Sequence, residues 1–243
     1  MTPRFAYAAF MLAALLVFLV ARRFTPRPPG FAKLSWQERV LLGLAALVGG
    51  TFGAKLPFVL FGDGQWLDLN SWLADGKTVT TGLIGAYLAV EVVKMVLGIQ
   101  TKTGDAFAVP LALALGVGRW GCFFNGCCYG TPTNLPWGRD LLGDGIARHP
   151  TQIYEVIFHL SMVGVLIVVI RRGWWPGHRL QLYLIAYGVY RFLSEFIRPE
   201  PIVWLGLTFY QLAALVLVGG MALQWAWEER RLPPLAQAQP RTT

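Results

Sequence analysis

The sequence predicts an all-α, polytopic membrane protein with seven transmembrane helices, its amino terminus outside and its carboxyl terminus in the cytoplasm. Three observations lead there. Of the 243 residues, 55% are hydrophobic and 14% charged, and the mean hydropathy is +0.50, far from the balance of soluble domains. Apolar runs long enough to cross a hydrocarbon core of about 30 Å recur along the chain. Lysine and arginine gather in alternate connections, the asymmetry that orients helices in a membrane.

The runs fall at about 5–21, 40–61, 82–99, 106–124, 152–170, 180–197 and 203–225. The first carries Arg4 near its start and ends on Arg22 and Arg23. A cleaved leader would place its charge before the apolar stretch and a small-residue site after it, so a retained helix is expected. The second run is the weakest, because Gly49, Gly50, Gly53, Lys55 and Pro57 interrupt it, and a broken helix survives in a membrane only beside protein or water. The third opens within TVTTGLIGAY, Thr78 to Tyr87, where Thr80, Thr81 and Gly82 offer hydroxyls and bare backbone. The fourth ends in GRWGCFFNGCCYG, Gly118 to Gly130. The fifth begins with HPTQIYE, His149 to Glu155, and the sixth carries Tyr187, Arg191, Glu195 and Arg198 at its end. Residues 1–230 read as one membrane domain. The Pro/Gln/Ala-rich tail, 231–243, reads as a disordered cytoplasmic extension.

Arg22, Arg23, Arg27, Lys33, Arg39, Lys102, Arg171, Arg172, Arg179, Arg230, Arg231 and Arg241 fall on one side of this arrangement. Arg4, Lys77, Arg139, Arg148 and Arg198 fall on the other. The richer side is expected to be cytoplasmic. The net charge of +8 is then mostly a topology signal, and no aromatic-interleaved basic patch points to nucleic acid. Trp36, Trp66, Trp72, Trp137, Trp174, Trp175, Trp204, Trp225 and Trp227 lie near helix ends or in loops, as interfacial anchors do.

This orientation brings Lys55, Thr80 to Gly82, Arg119 to Asn125, His149 to Glu155, and Tyr187 to Arg198 toward the outer leaflet. A cation in hydrocarbon costs roughly 2.5 to 3.5 kcal/mol on the most lenient scale, so each arginine needs a partner, a wet cavity or an anionic ligand. Arg191 and Glu195, four apart, share a helix face. The clusters bring more cations than carboxylates, with Glu155 and Glu195 the acids that stand out, so an anionic ligand is expected to complete a pocket. The Gly/Pro/Asp-rich segment Thr131 to Arg148 is long enough to fold over it. His149 is expected to enter the pocket, whereas His159 and His178 receive no role. For Cys122, Cys127 and Cys128 the C-x4-C-C spacing lacks the paired C-x2-C of common zinc sites, so no metal and no cofactor are expected. Small buried thiols, a disulfide involving Cys122, and a thiolate helped by Arg119 remain open for them.

Taken together these segments resemble the prolipoprotein diacylglyceryl transferases. Gly118, Arg119, Gly121, Phe123, Asn125, Gly126 and Gly130 match a signature of the form G-R-x-G-N-F-x-N-G-E-x-x-G. His149 to Glu155 is similar to the family's HPSQLYE, Tyr187 to Pro199 to its YG-x-x-R-x-x-x-E-F-x-R, and Gly82 to Gly85 to the end of its HGGLIG. Two departures stand out: Thr80 or Thr81 replaces the histidine of HGGLIG, and Cys122 and Cys127 replace the asparagine and glutamate of the signature.

The resemblance implies a multi-pass enzyme of the bacterial inner membrane, with its active site facing the outer leaflet. It would move diacylglyceryl from phosphatidylglycerol to the lipobox cysteine of a prolipoprotein and release glycerol phosphate. It implies catalytic roles for Arg119, Asn125, Arg191 and Glu195. Substrate contacts would come from Arg119, Arg191, Arg198, Gly130, Tyr154, Glu155, His149 and Gly82, with membrane lipids as further partners. Threonine cannot act as a base near pH 7, so Glu195, Glu155, His149 or the local positive field would have to provide the acceptor thiolate. Two other readings stand beside this one: a paralogue with altered lipid-transfer chemistry using Cys127 or Cys128 covalently, and a non-catalytic lipid-binding or transport protein.

Overall fold

Glycine governs how the helices of this protein approach one another. The computed structural model describes residues 3–28, 31–61 and 78–231; Trp66, Trp72, Lys77 and the tail from Pro233 lie outside the described residues. These contain seven α-helices: α1 Pro3–Phe24, α2 Trp36–Phe61, α3 Val79–Val96, α4 Ala108–Phe124, α5 Thr151–Arg172, α6 Arg179–Ser194 and α7 Phe209–Arg231. Five of them (α1, α2, α3, α5 and α7) are long and apolar enough to cross a membrane, and α4 is apolar but has only 17 residues. The chain has the helices of a multi-pass membrane protein.

α2 runs without a break through the glycines expected to interrupt it, with Pro57 inside it. Those glycines face α3. A Cβ at Gly49 would overlap Ala89 Cβ and Gly85 O, one at Gly53 would overlap Thr81 O, and one at Gly85 would overlap Gly49 O. Close backbone approach between small residues is how helices associate where lipid removes the hydrophobic drive. The same device recurs where α4 meets α1, Gly121 lying against Phe10 and Tyr7, and where α4 meets α5, Gly116 lying against His159. The resulting core is built from Ala108 and Ala112 of α4, Met162 and Leu166 of α5, Tyr183, Leu184 and Tyr187 of α6, and Leu217 and Met221 of α7.

Two ends differ from the expectation. The sixth run stops as an α-helix at Ser194 and continues as a 3-10 turn, Glu195–Ile197. The seventh helix starts at Phe209, because residues 202–208 form a small antiparallel hairpin, β1 Ile202–Trp204 and β2 Leu207–Thr208. Pro199 and Pro201 exclude helix there. Leu205 and Gly206, with φ of 52° and 73°, make the tight turn.

Hydrogen bonds and ion pairs tie down the connections at both ends of the bundle. At one end Asp105 accepts the N–H groups of Gly177 at 2.6 Å and Arg179 at 2.9 Å, and Lys102 Nζ lies 2.7 Å from Glu228 Oε2. The α3–α4 and α5–α6 connections are thereby tied to the end of α7. At the other end the segment after α4 is stitched down by backbone: Gly130 N–H to His149 O at 2.9 Å, Thr131 N–H to Ile197 O at 2.8 Å, and Thr133 N–H to Ala147 O at 2.9 Å.

Candidate active site

Arg119 lies in the last turns of α4, on a helix with no acidic residue, so its partner has to come from elsewhere. α5 supplies it. Arg119 Nη2 sits 2.7 Å from Glu155 Oε1, with both side chains buried. The same carboxylate oxygen accepts the Tyr187 hydroxyl of α6 at 3.1 Å and lies 3.6 Å from His159 Nε2, one turn along α5. His159 Nδ1 is in turn 3.0 Å from the Tyr183 hydroxyl. Three helices therefore meet on one carboxylate, as a buried charge requires.

A second cluster surrounds Glu195, in the turn after α6. Its Oε2 lies 2.8 Å from Arg191 Nη1 and 3.6 Å from Arg198 Nε, while Oε1 accepts the Thr208 hydroxyl at 3.1 Å. The Arg191 guanidinium also sits over the Tyr210 ring, 5.0 Å from its centroid. Arg198 reaches Glu200 at 3.4 Å on the partly exposed rim. The two clusters are within electrostatic reach of one another, Arg191 acting on Glu155, and Arg119 and Arg198 both acting on Cys128.

A family model for prolipoprotein diacylglyceryl transferase matches residues 5–227. The chain belongs to that family. Relatives bearing the name phosphatidylglycerol–prolipoprotein diacylglyceryl transferase include one from Cupriavidus metallidurans, 30% identical over 239 residues and spanning 91% of this chain and 88% of the relative. Another, from Bordetella avium, is 32% identical over 232 residues, 89% and 81% of the two chains. A third, from Clostridium tetani, is 33% identical over 177 residues, 66% and 68%.

Set against the transferase signature, the structure separates two groups of residues. Arg119, Glu155, Tyr187, Arg191, Glu195 and Arg198 share one neighbourhood. Tyr154, adjacent to Glu155 in sequence, points elsewhere on the helix: its hydroxyl lies 3.2 Å from His149 Nδ1 and accepts the Trp137 indole N–H at 2.8 Å. Tyr154 and His149 thus fasten the 131–148 segment. Gly130 permits the crossing of chains beneath that segment, since a Cβ there would lie 2.6 Å from Ile197 O. Gly82 serves the α2 contact, where a Cβ would meet Ala54 Cβ at 3.2 Å. Asn125 is the exposed C-cap of α4. Lys55 is buried and follows Ala54, whose carbonyl accepts the Thr78 N–H at 3.0 Å.

The cysteines at the departing positions lie beside Arg119. Cys122 Sγ is 3.9 Å from Arg119 Nη1, and the sulfurs of Cys122, Cys127 and Cys128 all lie within 4.8 Å of one another. The Cys127 thiol donates to Cys122 O at 3.6 Å. Thr80 is buried, with its hydroxyl in reach of Tyr187.

The charge balance expected from the sequence needs correcting. Glu200 is a third acid at the site, and each arginine has a carboxylate within 4 Å. Among the buried members, however, Arg191 and Arg198 share Glu195, which leaves positive charge in excess. Sequence reasoning also passed over His159 and Tyr183, which hold Glu155 from behind. The signal was there: His159 lies four residues beyond Glu155, on the same face of α5.

Proposed function

We propose that this chain transfers diacylglyceryl from phosphatidylglycerol to the lipobox cysteine thiol of prolipoproteins, releasing glycerol phosphate, at the outer leaflet of a bacterial inner membrane. Seven spans with the amino terminus outside place the arginine clusters at that leaflet. The observation that carries the reading is the sharing of Glu195 by Arg191 and Arg198 next to the Arg119–Glu155 pair. Guanidinium groups suit a phosphate ester, because their planar donors match its oxygens. An arginine that shares its carboxylate retains donors for such a ligand.

The chemistry follows from that placement. The acceptor thiol gives its proton to solvent, its sulfur attacks the glycerol carbon that bears the phosphate oxygen, the carbon–oxygen bond breaks, and its electron pair remains on the departing phosphate. Negative charge on phosphate grows along this path, so cations fixed beforehand stabilise the transition state more than the bound lipid. Glu155, itself held by Tyr187 and His159, fixes Arg119 in position, and Thr208 holds Glu195.

Purified protein supplied with phosphatidylglycerol and a lipobox peptide should release glycerol phosphate and add one diacylglyceryl group to the peptide. A peptide with serine in place of its cysteine should remain unmodified. Lipid binding without product from the cysteine peptide would instead identify a non-catalytic lipid-binding protein. In cells, the gene should rescue a strain depleted of its own transferase.

A further inference from the structure

The fold brings together three thiols that their spacing along the chain does not mark as a set. Cys122 leaves the last turn of α4, and the chain then doubles back so that the Cys127 N–H bonds to Cys122 O at 3.1 Å. Side chains from the first turn of α5 clamp the result: the Gln152 amide donates to Cys127 O and the Thr151 hydroxyl to Cys128 O. Cys128 itself is held at a φ of 63°, a region that residues other than glycine seldom occupy. Backbone, not apolar packing, therefore fixes where these sulfurs point. All three are partly exposed, unlike inert structural cysteines sealed in a core.

The geometry suits a soft cation. Zinc–thiolate bonds of about 2.3 Å set sulfurs roughly 3.8 Å apart in a tetrahedral site. With every pair of sulfurs within 4.8 Å, the longest edge needs to shorten by no more than about 1 Å. Three thiolates and one divalent cation carry a single net negative charge. Arg119 stands 3.9 Å from Cys122 Sγ, and Arg198 acts on Cys128, so the surroundings carry the opposite sign. Structural zinc sites close with four protein ligands, whereas catalytic ones keep three and leave a position open. Among the described residues the cluster has three.

The transfer reaction also lacks a base at the position where the family has histidine, because Thr80 offers only a hydroxyl. We propose that Cys122, Cys127 and Cys128 bind a thiophilic divalent cation of the zinc class, and that its fourth position takes the acceptor cysteine of the prolipoprotein. The role given to the metal rests on the transfer reading above. On binding, the acceptor thiol gives its proton to solvent and its sulfur becomes a metal-held thiolate. That sulfur forms a bond to the glycerol carbon while the carbon–oxygen bond to phosphate breaks, and the electron pair leaves with glycerol phosphate. The neutral thioether product is a weaker ligand than a thiolate and departs.

The test uses full-length protein in detergent, reduced and stripped of metal, titrated with Cd2+ as a spectroscopic probe and with Zn2+ for turnover. The ultraviolet sulfur-to-cadmium band should saturate at one ion per chain. It should grow by about a third, from three thiolates to four, when a lipobox cysteine peptide is added, and stay constant with the serine peptide. C122S, C127S and C128S, each eluting as wild type does, should each lose the stoichiometric band. Turnover should fall by roughly a hundredfold or more in stripped protein, the scale of an activated nucleophile lost, and return with Zn2+. Absence of a one-to-one band, or a band that survives the serine variants, overturns the site. Full turnover by metal-free protein overturns its role while leaving the transferase reading intact. Stoichiometric metal and peptide binding without glycerol phosphate release supports the site and overturns the transfer reading instead.

Discussion

Arg119 and Glu155 neutralise each other across two helices, yet the two substitutions should have opposite signatures. Removing Arg119 leaves Glu155 with the Tyr187 hydroxyl at 3.1 Å and with His159 beside it, so the carboxylate keeps partners. Arg119→Ala should insert and elute normally but lose turnover by about 10²-fold or more, the cost of deleting one fixed donor to a developing anion; near-normal glycerol phosphate release would remove its assigned role. Removing Glu155 instead strands a buried guanidinium, a defect worth about 3–5 kcal/mol. Glu155→Gln should therefore lower the thermal midpoint in detergent, and added phosphatidylglycerol should raise it more than in wild type, because the lipid phosphate supplies the missing anion. The pairs also show what a sequence can reveal at this scale. Arg191 with Glu195 was legible, since four residues on a helix define a shared face. Arg119 with Glu155 was not, because nothing in either segment states which helices are neighbours, and His159 is legible only through its four-residue spacing from Glu155.

Among the elements, α2 shows how the same residues carry opposite meanings with and without a partner in view. Gly49 and Gly53 read as weak points along one chain and become, with Gly85, a close helix contact once α3 lies alongside. Gly85→Ala should lower stability by about 1–3 kcal/mol, as overpacked sites do, whereas Gly43→Ala and Gly164→Ala, where a Cβ meets nothing within 4 Å, should leave the melting temperature unchanged. The hairpin before α7 was hidden for a different reason: Val203, Trp204 and Leu205 are apolar and exposed, so hydropathy alone joined them to the helix. The 131–148 segment is ordered internally by electrostatics. Arg148 grips Asp144 with two hydrogen bonds of 2.8 and 2.6 Å and lowers its carboxyl pKa to about 2. An ordinary aspartate titrates near about 3.9. A carboxyl depressed on folding stabilises above its unfolded value and loses that contribution as pH falls through its folded one. Hydrogen exchange in residues 139–148 should therefore be flat from neutral pH to about 4 once corrected for intrinsic rates, and rise below it. In Asp144→Asn it should be elevated at every pH.

At the level of the whole molecule, the two ends of the bundle differ in what their charges do. At one end Lys102, Asp105, His178, Arg179 and Glu228 knit connections together, and the flanking Arg22, Arg23, Arg171 and Arg172 sit in the last turns of α1 and α5, where cations favour a cytoplasmic face. At the other end arginines cluster with thiols, an arrangement better suited to a ligand than to structural closure. If lysine and arginine placement governs insertion, the first end lies in the cytoplasm and the proposed site meets substrates that have already crossed the membrane. Reporter fusions decide this. An alkaline phosphatase joined at Gly143, in the 131–148 segment, should be active because it is exported, and one joined after Arg231 should be inactive. A fluorescent protein after Arg231 should be bright. The reverse pattern would put Arg119, Arg191 and the three cysteines on the cytoplasmic side, out of reach of an acceptor in the outer leaflet, and the proposed reaction could not occur there.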